Sequence, residues 1–199
     1  MDISHKQLDT PPSGPPVRRV KVNGEWFDLL LSEEQIRQRV VQIGTQLKND
    51  YAGKVPIFMG VLNGAYIFMA DLMREFDGDC EMDFMKLSSY GDRKISSGSV
   101  SVVKDFSANL ENRDVIIVED VIDSGLSMTF IRNLILSHRP ASLRIATFLH
   151  KPEVSTIDFP IDYTAFEIPK WFVIGYGLDY AQKARNLKEV YILSPDQKE

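Results

Sequence analysis

Residues 115–128 read VIIVEDVIDSGLSM. The first four, Val115, Ile116, Ile117 and Val118, are all β-branched and apolar, so neither face of the segment can meet water. That composition suits a strand inside a parallel sheet covered by helices. The hydrocarbon then stops at once. Glu119 and Asp120 close the run, Asp123 follows, and Ser124, Gly125 and Ser127 make a small hydroxyl-rich turn. Crowded carboxylates repel one another and glycine costs conformational entropy. A chain that accepts both at the end of a buried strand serves something outside itself.

The same alternation recurs along the chain. Strands are expected at 55–62, 80–89, 101–105, 114–120 and 142–150, with shorter ones around 163–166, 172–176 and 190–193. Ser32 caps a helix with Gln35 in the capping-box position, and Ile36, Val40, Ile43 and Leu47 follow at helical spacing. Further helices are expected at 65–76 and 126–138. Apolar strands alternating with helices predict an α/β fold, a mostly parallel twisted sheet flanked by helices. Ligands of such sheets bind outside the carboxyl ends of the strands. Asn63-Gly64, the acidic turn and the region around Lys151 all fall there. Residues 1–17, which contain TPPSGPP, are expected to be a disordered tail, with a single domain over 18–199. The polar stretch YGDRKISSGS at 90–99 is expected to be a mobile lid.

Composition removes several function classes. The net charge of −5 over 199 residues argues against general affinity for nucleic acid or anionic membrane. No apolar run reaches the ~18–20 residues of a membrane span, and MDISHKQLD lacks a secretory apolar region. Cys80 is the single cysteine, and His5, His138 and His150 are scattered, so no zinc cage is visible. A reducing cytoplasm is the expected setting.

The acidic turn has a chemical reading of its own. Gly125 allows backbone N–H groups at a helix start to converge on an anion, and the helix dipole adds to this. Ser124 and Ser127 can donate hydroxyls to the same phosphate. Glu119 and Asp120 suit vicinal ribose hydroxyls, directly or through a divalent cation. Asp123 lies between, placed for proton transfer or charge stabilisation. One sugar phosphate satisfies the whole stretch. The plainer alternative is a solvated turn with Asp123 or Ser124 as helix N-cap.

These residues resemble the phosphoribosyl pyrophosphate (PRPP) motif of type I phosphoribosyltransferases: an apolar strand, two acids, two apolar residues, Asp, then a small glycine-containing loop. LNGAYIFMADL at 62–72, LSSYGD at 87–92, FLHKPE at 148–153 and FEIPKWFVIGYGLDYAQKARNLKEVYIL at 166–193 are similar, in unbroken order, to segments of the hypoxanthine-guanine branch of that family. The resemblance implies a core over about 33–150 and a small purine hood from 18–32 and 151–199. It implies a Mg²⁺-dependent enzyme of purine salvage that moves the 5-phosphoribosyl group of PRPP to N9 of hypoxanthine or guanine, in a homodimer or homotetramer. By resemblance, Glu119, Asp120, Asp123, Ser124, Gly125, Leu126 and Ser127 hold the ribose and its 5′-phosphate, and Asp123 handles the purine proton. Asn63, Gly64 and Arg185 face the pyrophosphate, and Ser89-Tyr90 belong to the lid. Lys151, Phe172 and the backbones of Val173 and Asp179 face the purine, and Asp179, Glu119 and Asp120 face the metal. Asn63 stands where many members have lysine, which leaves that contact to the backbone, and the peptide Leu62–Asn63 is expected to be cis. The rival reading on the same scaffold is a non-catalytic, nucleotide-sensing RNA binder. Such a protein needs a clustered basic face, and the only dense basic run is RRVK at 18–21.

Overall fold

The computed structural model describes residues 6–9, 18–89 and 100–197. Eleven strands and three helices follow in chain order. They are β1 (Lys6–Gln7), β2 (Arg19–Val22), β3 (Glu25–Leu31), α1 (Glu33–Asp50), β4 (Ile57–Leu62), α2 (Tyr66–Glu75), β5 (Glu81–Ser89) and β6 (Val100–Lys104). Then come β7 (Asp114–Ile122), α3 (Leu126–Ser137), β8 (Ser142–His150), β9 (Tyr163–Glu167), β10 (Val173–Ile174) and β11 (Val190–Leu193). Seven strands form one sheet in the order β1-β9-β8-β7-β4-β5-β6, parallel except for the β5–β6 pair. Four more form an antiparallel sheet in the order β10-β11-β3-β2.

The alternation along β7 explains its composition. Ile116 and Val118 enter the core shared with Phe58, Phe148 and the inner faces of α1 and α2. Val115 and Ile117 enter the opposite core, with Met128, Ile131 and Ile135 of α3. Both faces are dry, so every position is apolar. Ser32 caps α1 through the reciprocal capping box with Gln35, as the spacing predicts. Among the described residues, no helix is long and apolar enough to cross a membrane.

Two parts of the fold differ from the sequence reading. Lys6–Gln7, within the expected tail, pairs in parallel with Phe166–Glu167, and the Leu8 N–H donates to the Glu167 carbonyl at 2.9 Å. Backbone pairing along an open sheet edge needs no side-chain pattern, and Leu8 supplies an apolar anchor on the larger core. Strands β2 and β3 form a hairpin that the sequence reading left without elements. Its turn is Asn23-Gly24, both at positive φ (53° and 89°), the arrangement a two-residue turn requires. The expected lid, from Tyr90 to Ser99, lies outside the described residues.

Gly44 sits inside α1, where alanine would normally favour the helix by about 1 kcal/mol. A Cβ there would stand 2.5 Å from the Cβ of Glu75 on α2. Gly44→Ala is therefore expected to destabilise the protein by about 1–3 kcal/mol in spite of the propensity gain. Thermal denaturation should show a fall of roughly 2–4 °C per kcal/mol; an unchanged or raised midpoint would mean that α1 and α2 have room to separate.

Candidate active site

The parallel register brings three strand ends to one edge: Leu62-Asn63-Gly64 after β4, the acidic turn at the end of β7, and His150-Lys151 at the end of β8. The peptide Leu62–Asn63 is cis. A side chain on Gly64 would overlap the Asp120 carboxylate, so the absence of a Cβ is what lets the two turns meet. The Asp120 N–H donates to Glu119 Oε1 at 3.0 Å, and the Val121 N–H donates to Asp120 Oδ1 at 2.8 Å. Neither carboxylate has an ion-pair partner among the described residues. Burial, and then the charge of Asp120, push the Glu119 carboxyl well above its ordinary range. Burial raises Asp120 as well, against backbone hydrogen bonds and the more distant Arg185 charge that favour its ionised form.

The helix start beside these acids is open. Gly125 is the N-cap of α3, at φ +85°, and no side chain caps the helix. The plainer alternative, with Asp123 or Ser124 as N-cap, is thus not what the chain adopts. The first-turn N–H groups of α3 lack intrahelical acceptors. They border a hollow of about 100 Å³ lined by Glu119, Asp123, Ser124, Gly125 and Ser127. Leu126 points outward, 60% exposed.

Across the turn lies a wall of mixed chemistry. Lys151 is only 8% exposed, and its Nζ stands 3.2 Å from Asp123 Oδ2. The sequence reading gave these two residues separate roles; the structure joins them. Phe172 is 45% exposed, backed by Phe27 at 6.1 Å and by the edge of Tyr180 at 5.3 Å between ring centroids. It is an aromatic ring with one face left open. The Phe172 carbonyl accepts the Leu193 N–H at 3.0 Å, so in the alternating ladder of β10 and β11 the next residue, Val173, turns its own N–H and C=O away from β11. Asp179 and Arg185 form an ion pair at 2.6 Å, and Asp179 also accepts the Gln182 N–H at 2.8 Å.

Arg185 donates to the Gly177 carbonyl at 2.8 Å, and Gly177 is pressed so closely on the Gly64 carbonyl that a Cβ would overlap it. Gly177 and its neighbour Tyr176 escaped the sequence reading. Tyr176, at φ 49°, donates its hydroxyl to Asp71 of α2 at 2.7 Å and so holds the loop at 175–177 on the helix that follows Gly64. The Gly-Tyr-Gly triplet at 175–177 was the available clue, because positive φ and close backbone approach both select glycine. Ser89 ends β5, while Tyr90 lies outside the described residues.

A parallel sheet with this acidic turn and open helix start defines the class: the family model described as the phosphoribosyl transferase domain matches residues 28–181. The chain is 44% identical over 167 residues to the hypoxanthine-guanine phosphoribosyltransferase of Bacillus subtilis, covering 84% of this chain and 93% of that protein. It is 40% identical over 174 residues to the protein of the same name from Aquifex aeolicus, covering 87% of this chain and 98% of that one. A crystal structure of a hypoxanthine-guanine phosphoribosyltransferase from Bacillus anthracis superimposes with a TM-score of 0.80 at 38% identity, covering 84% of this chain and 98% of that one. The chain belongs to the hypoxanthine-guanine phosphoribosyltransferase family.

The raised Glu119 carboxyl has a consequence for stability. A carboxyl whose pKa is higher in the fold than in the unfolded chain stabilises the fold below the unfolded value of ~4.3 and loses that contribution as pH rises through the folded value. Glu119→Gln keeps the acceptor oxygen and removes the charge. The free variant is expected to melt higher than wild type, with a difference that grows from pH 5 to pH 8. A difference independent of pH would show that Glu119 ionises in the fold without cost.

Proposed function

We propose that the chain catalyses Mg²⁺-dependent transfer of the 5-phosphoribosyl group from PRPP to N9 of hypoxanthine, and of guanine, giving the nucleoside monophosphate and pyrophosphate. The observation that carries this reading is the uncapped start of α3 set against buried Glu119 and half-buried Asp120, which have no ion-pair partner among the described residues. Backbone N–H groups and the hydroxyls of Ser124 and Ser127 suit the 5′-phosphate. Glu119 and Asp120 suit the ribose hydroxyls, to which their carboxylates offer acceptors. Fixed negative charge at the same turn favours the oxocarbenium-like ribosyl carbon as its bond to pyrophosphate breaks. Asn63, Gly64 and Arg185 stand on the side of the turn where that leaving group departs. The bond from N9 to the ribosyl carbon forms, and the proton on the purine passes from N7 to Asp123.

The base lies against the open face of Phe172, with the outward N–H and C=O of Val173 and the backbone of Asp179 at its edge. Lys151 donates to the 6-oxo group, and its three donors let it hold both that oxygen and Asp123. Among the described residues there is no cluster of three or more metal-ligating side chains. Mg²⁺ needs none, because it binds through one or two carboxylates together with substrate oxygens and water. Glu119 and Asp120 fit that pattern, and Asp179 offers what its contacts with Arg185 and Gln182 leave free. When bound, the ion neutralises charge on the leaving pyrophosphate. We read residues 18–199 as one domain, with the antiparallel sheet as the purine hood. The family resemblance carries a homodimer or homotetramer and a cytoplasmic setting, and nothing favours the RNA-binding alternative.

The test is an assay of nucleotide formation from hypoxanthine, PRPP and Mg²⁺, with Asp123→Asn beside wild type. General-base contributions of ~10²–10⁴-fold set the expected fall in kcat. Wild-type protein without turnover would refute the enzyme reading, and a variant keeping half the wild-type kcat would remove Asp123 from the proton's path. A second measurement addresses the base. Adenine places an amino group opposite the Lys151 ammonium, donor against donor, and sites of this kind reject the mismatch by ~10⁴-fold or more. Lys151→Gln is expected to narrow the hypoxanthine-to-adenine ratio of kcat/KM, mainly by damaging the hypoxanthine reaction. An unchanged ratio would assign the discrimination elsewhere.

A further inference from the structure

The phosphate loop is held from behind by a segment that enters no part of the chemistry above. After Lys151 the chain makes a tight turn, with the N–H groups of Val154 and Ser155 donating to the Lys151 carbonyl at 3.2 and 3.1 Å. Thr156 then reaches the Ser124 carbonyl twice, through its N–H and through its Oγ1, both at 3.0 Å. Ile157 follows, so close to Gly125 that a Cβ on the glycine would overlap its methyl group. The Ile157 side chain is anchored in turn on the core beneath α3.

From this geometry we infer that Thr156 is a positioning residue for the 5′-phosphate. A trans peptide is planar, with its C=O and N–H pointing in opposite directions. Two hydrogen bonds that pull the Ser124 carbonyl toward Thr156 therefore turn the Gly125 N–H the other way, into the anion hollow. That N–H has no partner among the described residues. Glycine alone cannot hold this orientation, since it populates both signs of φ almost equally and leaves the 124–125 peptide free to flip. A flipped peptide would present a carbonyl oxygen to the phosphate in place of a donor. Gly125 is needed because Ile157 leaves no room for a side chain, and Thr156 supplies the rigidity that the glycine gives up. The same turn begins at Lys151, so one short segment sets both the purine donor and the phosphate donor.

The inference rests on reading residues 123–127 as the phosphate loop, and the test separates the two. Binding of inosine 5′-monophosphate and of inosine is measured by calorimetry for wild type, Thr156→Val and Thr156→Ser, with thermal midpoints recorded. Valine keeps the backbone N–H and the branched shape but loses the hydroxyl donor; serine keeps the donor. Thr156→Val is expected to bind the monophosphate about 3- to 10-fold more weakly, the scale of one neutral hydrogen bond, with inosine affinity unchanged and wild-type behaviour in Thr156→Ser. A Thr156→Val protein that keeps the wild-type preference for the monophosphate overturns the inference and leaves the phosphate loop standing. Equal weakening of both ligands also overturns it, by making Thr156 a general structural support. Wild type that binds inosine as well as its monophosphate refutes the phosphate-loop reading itself, and the role of Thr156 with it.

Discussion

The structure depends on two carboxylates placed where hydrocarbon should continue. Strand β7 is buried on both faces, with a core on each side. Ending it in Glu119 and Asp120 sets burial against ionisation, and among the described residues neither acid has an ion-pair partner. A fold selected for stability alone would place apolar residues or an arginine at these positions. On the proposed function, the acids are tolerable because the occupied state supplies what the free chain omits. Hydroxyl donors and a cation are the species that such a pair would bind more tightly than water does.

Around that pair, close packing is achieved by missing side chains. Gly64 admits Asp120, Gly177 admits the Gly64 carbonyl, and Gly125 admits Ile157. Each contact joins two segments far apart in sequence, so the site is a stack of backbone turns with few side chains between them. Turns packed in this way leave main-chain N–H groups open to an anion, which bulkier residues would hold at a distance. It also makes the turns interdependent. Tyr176 ties the loop at 175–177 to α2, Arg185 ties Asp179 to Gly177, and Thr156 ties the turn after Lys151 to Ser124.

Much of this was legible in the residues. The apolar, β-branched run of β7 suited a doubly covered strand, and its alternation with helical segments pointed to the parallel sheet. The order of motifs pointed to the family that the comparisons show. Other features were not legible, for physical reasons. Strand β1 pairs through backbone atoms, which leave no side-chain pattern, and Lys6–Gln7 is too short to show periodicity. The hairpin of β2 and β3 did carry a signal in Asn23-Gly24, a dipeptide suited to a two-residue turn with positive φ at both positions. The ion pair of Lys151 with Asp123 and the grip of Thr156 on Ser124 depend on how β7 and β8 are registered. Register is a property of the assembled sheet and cannot be read from either strand.

The small strand β1 bears on how the molecule behaves at its margin. Among the described residues the sheet ends on one side in β6, which runs antiparallel to its neighbour, and on the other in β1, which covers β9 for two residues. An uncovered β9 would offer a free ladder to any passing chain. Coverage this brief is held by Leu8 and a few main-chain bonds, so it can open by local fraying long before the domain unfolds. Leu8 and Asp9 also border a small hollow with Pro152 and Glu153, the residues just after the buried lysine. The guard on the sheet edge and the turn that follows Lys151 are thus neighbours, although about 145 residues separate them along the chain.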